Sequence, residues 1–279
     1  MSATTEMANK ERFEFGANWV TFLSVLDDER IEVAKNSLAD MIGFSDFSGK
    51  AFLDIGSGSG LFSLAARMLG ATVFSFDYDE KSVNCTKELK RRYFNNDDKW
   101  TICEGNVLDD NWLSTIGAWD IVYSWGVLHH TGAMWEALAN VDKLVKQGGS
   151  LFIAIYNDQG GKSRRWWKLK KRYNKGGRLT KLLISSGVGL HFACQDLAVG
   201  MIRFGDPFHM WKIKKKSRGM SRKHDLLDWV GGYPFEVAKP EEIFDFYYKR
   251  GYTLTRLATS AGGFGCNQFV FSKSPTAFS

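Results

Sequence analysis

Between Lys50 and Tyr156, short apolar runs alternate with segments whose apolar residues recur at helical spacing. Ala51–Ile55, Thr72–Phe76, Trp100–Glu104, Trp119–Ser124 and Leu151–Tyr156 predict five strands. Leu61–Leu69, Glu80–Tyr93 and Ala133–Lys146 predict helices between them, the last stopping before Gly148 and Gly149. Strands alternating with helices imply βαβ units, hence a parallel sheet covered on both faces and joined by right-handed crossovers. The pattern lapses from about Asn157 to Ala238. It resumes with a helix over Pro240–Arg250, where Pro opens the first turn and Gly251 follows the end. Tyr252–Leu257 and Asn267–Phe271, linked by the glycine-rich Ser260–Cys266, then read as a hairpin that completes the sheet. The chain thus divides into an N-terminal helical cap (1–49), an α/β core (50–156), a helical insertion (157–238) and a C-terminal helix with hairpin (239–279). Near the start, Phe13, Phe15 and Trp19 are placed either to begin a helix over the core's ligand or to staple onto the core.

Composition changes this picture in one place. The net charge of +6 is unevenly spread: Gly161–His224 holds 18 Lys/Arg against two acids, leaving 19 bases and 29 acids elsewhere. An acidic body carrying one basic segment points to an anionic partner or surface. Met1–Phe15 is polar and mixed in charge, so no secretory leader is expected. Cys85, Cys103, Cys194 and Cys266 show neither CxxC spacing nor a disulfide framework, which fits free thiols in a cytoplasmic protein, with peripheral membrane contact as a second setting.

The sharpest chemical signal is Leu53-Asp54-Ile55-Gly56-Ser57-Gly58-Ser59-Gly60, where a strand turns into a helix. Glycines there permit a tight turn and close approach of a ligand to the positive end of the helix. Asp77 ends the next strand, at the separation from which an acid reaches ribose hydroxyls. Glu104-Gly105-Asn106-Val107 follows the third strand with a polar–apolar pair suited to an adenine edge. Asp54, just ahead of the first glycine, is placed to orient the loop. A nicotinamide-cofactor domain is the competing reading, disfavoured by the GxGxG spacing and the terminal hairpin.

With these elements and Ser124-Trp125-Gly126-Val127-Leu128-His129-His130, the sequence resembles class I S-adenosylmethionine (SAM)-dependent methyltransferases. The nearest branch is the small-molecule one that includes ubiquinone- and menaquinone-biosynthesis enzymes. The resemblance covers roughly Lys50–Tyr156 and Pro240–Phe271. It implies a Rossmann-like, seven-stranded, mostly parallel sheet with an antiparallel last strand. It also implies SAM as cofactor, S-adenosylhomocysteine as product, and no metal. The cofactor set it implies is Asp54, Gly56, Ser57, Gly58, Gly60, Asp77, Tyr78, Asn106, Val107, Ser124 and Trp125; many members carry Asp where this chain has Asn106.

Methyl transfer is an in-line displacement in which positioning does much of the catalysis, though a hydroxyl nucleophile also needs a base. His129 and His130, after the fourth strand, are the candidate bases, and Tyr156 at the mouth of the fifth is a third candidate. The chain lacks an Asn/Asp-Pro-Pro-aromatic tetrapeptide, a Pro-Cys pair and an acidic triad for magnesium. The expected reaction is therefore metal-free methylation of an oxygen, or a nitrogen, on a small or carrier-linked metabolite. Tyr233, Glu236 and Asn267 would suit a hydroxylated acceptor such as a sugar or glycan precursor.

Within the insertion, Lys162–Lys175 interleaves bases with aromatics, and Leu182–Phe204 is apolar but interrupted by Gly187, Gly189, His191, Gln195 and Asp196. Two packed lid helices are expected; an anionic ligand or membrane-surface contact through 161–224 is the sharper alternative, and the interruptions argue against a spanning helix. Nucleic acid is the less favoured partner. RNA or protein methylation, and a catalytically silent SAM-binding module, remain competing readings.

Overall fold

A computed structural model describes residues 23–24, 26–209, 226 and 229–275. Phe13, Phe15 and Trp19 lie outside the described residues. Among the described residues, chain contacts define two units, one of residues 164–234 and one of residues 23–163 together with 235–275. The sequence pattern puts these boundaries at 157 and 238. The flanks instead belong with the sheet, because Asn157 bridges Ala238 and the Asp158 amide donates to the Ala238 carbonyl at 3.1 Å.

The larger unit runs α1 (Asp28–Ile42), β1 (Ala51–Ile55), α2 (Leu61–Met68), β2 (Thr72–Asp77), α3 (Glu80–Tyr93), β3 (Trp100–Glu104), α4 (Asp110–Ile116) and β4 (Trp119–Trp125). A 3₁₀ turn (Leu128–His130), α5 (Met134–Lys143) and β5 (Val145–Tyr156) follow. After the insertion helices α6 (Gly161–Lys175) and α7 (Arg178–Phe204), the order closes with α8 (Pro240–Tyr248), β6 (Tyr252–Ala258) and β7 (Cys266–Lys273). The seven strands lie in the order β3-β2-β1-β4-β5-β7-β6; β7 runs antiparallel to both its neighbours and the other pairings are parallel.

Side-chain alternation along the strands feeds two cores. Phe52, Val73, Ile121, Tyr123, Phe152 and Val270 face one side, with α1, α2 and α3 residues such as Leu38, Leu64 and Leu89. Leu53, Val122, Ile153, Phe269 and Phe271 face the other, with Leu113, Leu138, Ile243 and Tyr247 from α4, α5 and α8. Asp side chains cap the helix entries. Asp27 accepts the Arg30 amide at 2.9 Å, Asp79 that of Lys81 at 3.0 Å and Asp109 that of Trp112 at 3.1 Å. This capping fixes where each helix starts relative to the sheet.

Three elements differ from the sequence pattern. The α5 helix ends at Lys143, and β5 begins at Val145 rather than Leu151. The strand register shifts between Trp119↔Val145 and Ile121↔Ser150, so the Gly148–Gly149 pair sits in a bulge, not at a helix stop. The glycines of α7 do not interrupt it: Arg178–Phe204 is one helix of 27 residues, long and apolar enough by composition to cross a membrane. In its own unit, α7 packs Ile184, Val188 and Phe192 against Trp166, Leu169 and Tyr173 of α6 and against Leu226, Trp229 and Val230. The fully buried Lys170 donates to the Trp229 carbonyl, with its ammonium 4.7 Å from the Trp229 ring centroid.

Candidate active site

The Gly56–Gly60 loop owes its shape to positions where no side chain fits. Gly56, Gly58 and Gly60 have φ of 76°, 55° and 80°. A Cβ on Gly56 would lie 2.5 Å from the Val127 methyls, and one on Gly60 would lie 2.9 Å from the Thr86 backbone. The Gly56 and Ser57 amides both donate to the Phe76 carbonyl, at 2.8 and 3.1 Å, which ties the loop to the end of β2. Ser57 Oγ sits 3.0 Å from Thr86 Oγ1, so the loop is also held to α3.

Asp77 links the loop to the next strand. Its Oδ2 accepts the Gly58 amide and its Oδ1 the Asp79 amide, each at 2.9 Å. Its two oxygens thus join the glycine loop to the start of α3 at the carboxyl end of β2. After β3, Asn106 Oδ1 accepts the Leu108 amide at 3.0 Å and Asn140 Nδ2 donates to the Val107 carbonyl at 3.0 Å. The Asn106-Val107 pair is thereby presented in a fixed turn. Tyr78 and Trp125 are exposed beside these strand ends, and Trp125 Nε1 donates to Gln268 Oε1 at 3.3 Å.

Two members of the expected cofactor set lie inside the fold. Ser124 is fully buried and donates to the Ile55 carbonyl at 3.1 Å. Asp54 accepts from Ser63 Oγ at 2.5 Å; Ser63 Oγ lies 2.7 Å from Ser75 Oγ, which accepts from Trp100 Nε1 at 2.9 Å. Burial pushes the Asp54 carboxyl up to about 7, against the lowering pull of the Ser63 bond; the Asp77 charge adds to the rise. Asp54 therefore reaches the loop indirectly, by pinning α2, which the loop enters. The Tyr123 hydroxyl on the same face is buried without a hydrogen-bond partner among the described residues.

At the ends of β4 and β5, His129, His130 and Tyr156 form one aromatic cluster. The His129 ring centroid lies 4.5 Å from that of His130 and 4.0 Å from that of Tyr156, and Phe235 stands 5.4 Å from Tyr156. His129 is fully buried, and its Nδ1 accepts the Tyr156 amide at 3.4 Å. That contact leaves Nδ1 without a proton and fixes the ring. His130 is held by the turn through its amide, which donates to the Val127 carbonyl at 2.8 Å.

The expected substrate residues are placed differently from one another. Glu236 points its carboxylate at the start of α5, accepting the Met134 amide at 3.1 Å, and burial raises its pKa against the pull of the Met134 and Gly132 amides. Asn267 donates to Asn157 Oδ1 and accepts the Ser260 amide, both at 3.0 Å, closing the β6–β7 connection onto the end of β5. Tyr233 belongs to the 164–234 unit. Among the described residues no group of three or more His, Cys, Asp or Glu is placed to hold a metal. Sequence alone does not single out Ser63, Ser75, Thr86 or Phe235; the only local signal is a serine on the inner face of α2.

A glycine turn with no room for side chains, an acid at the end of β2 and a fixed polar–apolar pair after β3 fit a nucleoside-bearing cofactor. Together with the strand order they define the class I methyltransferase fold. Residues 53–151 match the family described as a methyltransferase domain. The magnesium protoporphyrin IX methyltransferase (ChlM) of Synechocystis PCC 6803, solved with bound S-adenosylhomocysteine, superposes with a TM-score of 0.51 at 16% identity, covering 88% of this chain and 84% of that one. An O-methyltransferase family protein from Burkholderia thailandensis gives 0.53 at 13% identity, covering 90% and 59%. Among curated proteins, the ribosomal protein L11 methyltransferase of Prochlorococcus marinus (strain AS9601) is 33% identical over 115 residues; the match takes in 40% of this chain but only 37% of that relative's length. Residues 53–151 thus match a methyltransferase domain, set within a sheet that has the class I methyltransferase fold.

Proposed function

We propose that the chain binds SAM along the carboxyl edge of β1–β4 and transfers its methyl group to a hydroxyl of a small or carrier-linked metabolite. The observation that carries this reading is Asp77 joined to the Gly58 amide, an acid and a glycine turn held in register where open α/β sheets take ligands. In this assignment Asp77 accepts from the ribose hydroxyls, the loop backbone flanks the methionine end, and Asn106 and Val107 take the adenine edge. When bound, SAM supplies a methyl group on a sulfonium, already electrophilic. His130 takes the proton leaving the acceptor hydroxyl, while His129, anchored through Nδ1, keeps the neighbouring ring in place. Tyr156 and Phe235 supply apolar area that excludes water from the acceptor. The polar rim of Trp125, Gln268 and Asn157 makes hydroxylated, sugar-type acceptors the first class to screen.

A second reading, methylation of a protein, has the similarity to the L11 methyltransferases in its favour. The test is incubation with methyl-labelled SAM and fractionated extract. Label in a small or lipid-carried metabolite supports the first reading; label in a polypeptide supports the second. Binding of S-adenosylhomocysteine with no labelled product in any fraction would leave a silent module.

A further inference from the structure

The helix α7 is apolar on two opposite sides. Ile184, Val188 and Phe192 pack into the core of the 164–234 unit. On the far side, Leu179, Leu183, Leu190 and Met201 recur at spacings that put them within a stripe about 40° wide. These four side chains are between 54% and 69% exposed, and Leu182, beside the stripe, is 63% exposed. At roughly 1.5 Å per residue the stripe extends about 33 Å along the helix. A surface helix of a soluble domain carries polar residues there; an exposed apolar stripe of this length marks a contact.

The net charge of α6 and the first half of α7 selects the partner. Residues 161–195 contain ten Lys/Arg and no Asp or Glu. Of these, Arg164, Arg165, Lys168, Arg172, Lys175, Arg178 and Lys181 are exposed. A second copy of the chain would bring like charges together, and a nucleic acid would leave the leucines in water. An anionic bilayer answers both, with phosphate headgroups for the bases and acyl chains for the stripe. Spanning is disfavoured because the inner side of α7 is packed on Trp166 and Tyr173 of α6, a helix dense in charge.

We propose that α7 lies in the plane of an anionic membrane surface, with Leu179, Leu183, Leu190 and Met201 inserted at the headgroup boundary. This placement is independent of the methyl acceptor. The test is flotation of the full chain with phosphatidylcholine vesicles, with and without phosphatidylserine. Binding to the serine-containing vesicles, weakening as salt rises, is expected. Leu183→Asp and Leu190→Asp are each expected to lower partitioning about tenfold or more, with far-ultraviolet circular dichroism and S-adenosylhomocysteine binding unchanged. No flotation of the wild type with either vesicle would overturn the proposal. So would RNA binding that displaces the vesicles and survives Leu190→Asp, or a concentration-dependent dimer that Leu190→Asp abolishes. The wild-type comparison of vesicles stands even if a variant misfolds.

Discussion

Asp77 at the end of β2 accepts the backbone amide of Gly58 at 2.9 Å, so one carboxylate both shapes the glycine loop and faces the edge where ligands bind. Removing it therefore acts twice, on the loop and on the ligand. The cofactor assignment is exposed to direct test at this residue.

The two adjacent histidines separate by experiment. His130→Ala is expected to lower turnover by about 10²–10⁴-fold while leaving S-adenosylhomocysteine affinity within about threefold, as loss of a general base would. His129→Ala removes a fully buried ring that accepts the Tyr156 amide, so it should cost about 1–3 kcal/mol of stability, read as a lower melting temperature. Equal losses of affinity and turnover in His130→Ala would assign that residue to the cofactor pocket instead.

Asp54 makes stability depend on pH. Its folded pKa, about 7, lies above the ordinary aspartate value of 3.8, so between these limits the native state holds a proton that the unfolded chain has released. Its stabilising contribution is fully present below the unfolded value and is lost as pH rises through the folded one. Asp54→Asn should flatten this part of the profile, by an amount on the order of a few kcal/mol, in denaturant titrations across that range. An unchanged difference between wild type and variant at every pH would remove the burial-driven shift.

Gly60 allows no substitute. With φ of 80° and the Thr86 backbone 2.9 Å from where a Cβ would stand, Gly60→Ala should destabilise by more than about 1 kcal/mol and weaken cofactor binding as the loop moves. Gly262→Ala is the control, because its φ of 75° carries the same strain but open space surrounds it. Thermal melts of the pair separate backbone strain from crowding.

The sheet is readable because its central strands are continuous apolar runs, and the glycine loop because few other residues can make that turn. What escapes is decided by partners distant in sequence. Asp54 reads as a loop-orienting acid; its partner Ser63 and the Ser75–Trp100 extension become visible only when β1, β2, β3 and α2 are assembled. His129 and His130 are alike in the sequence, and the Tyr156 amide distinguishes them. The α4 helix, Asp110–Ile116, is too short to show a period. In α7 the glycines read as breaks, but their cost of roughly 1 kcal/mol each is offset by packing of Ile184, Val188 and Phe192.

Whether Asp77 and the glycine loop hold the cofactor is decided by calorimetric titration of S-adenosylhomocysteine into the wild type and Asp77→Ala. Micromolar binding to the wild type is expected, with a loss of about 30-fold or more in the variant, the scale of hydrogen bonds to a charged group. Equal affinity in both proteins, or no binding to the wild type, would contradict the assignment.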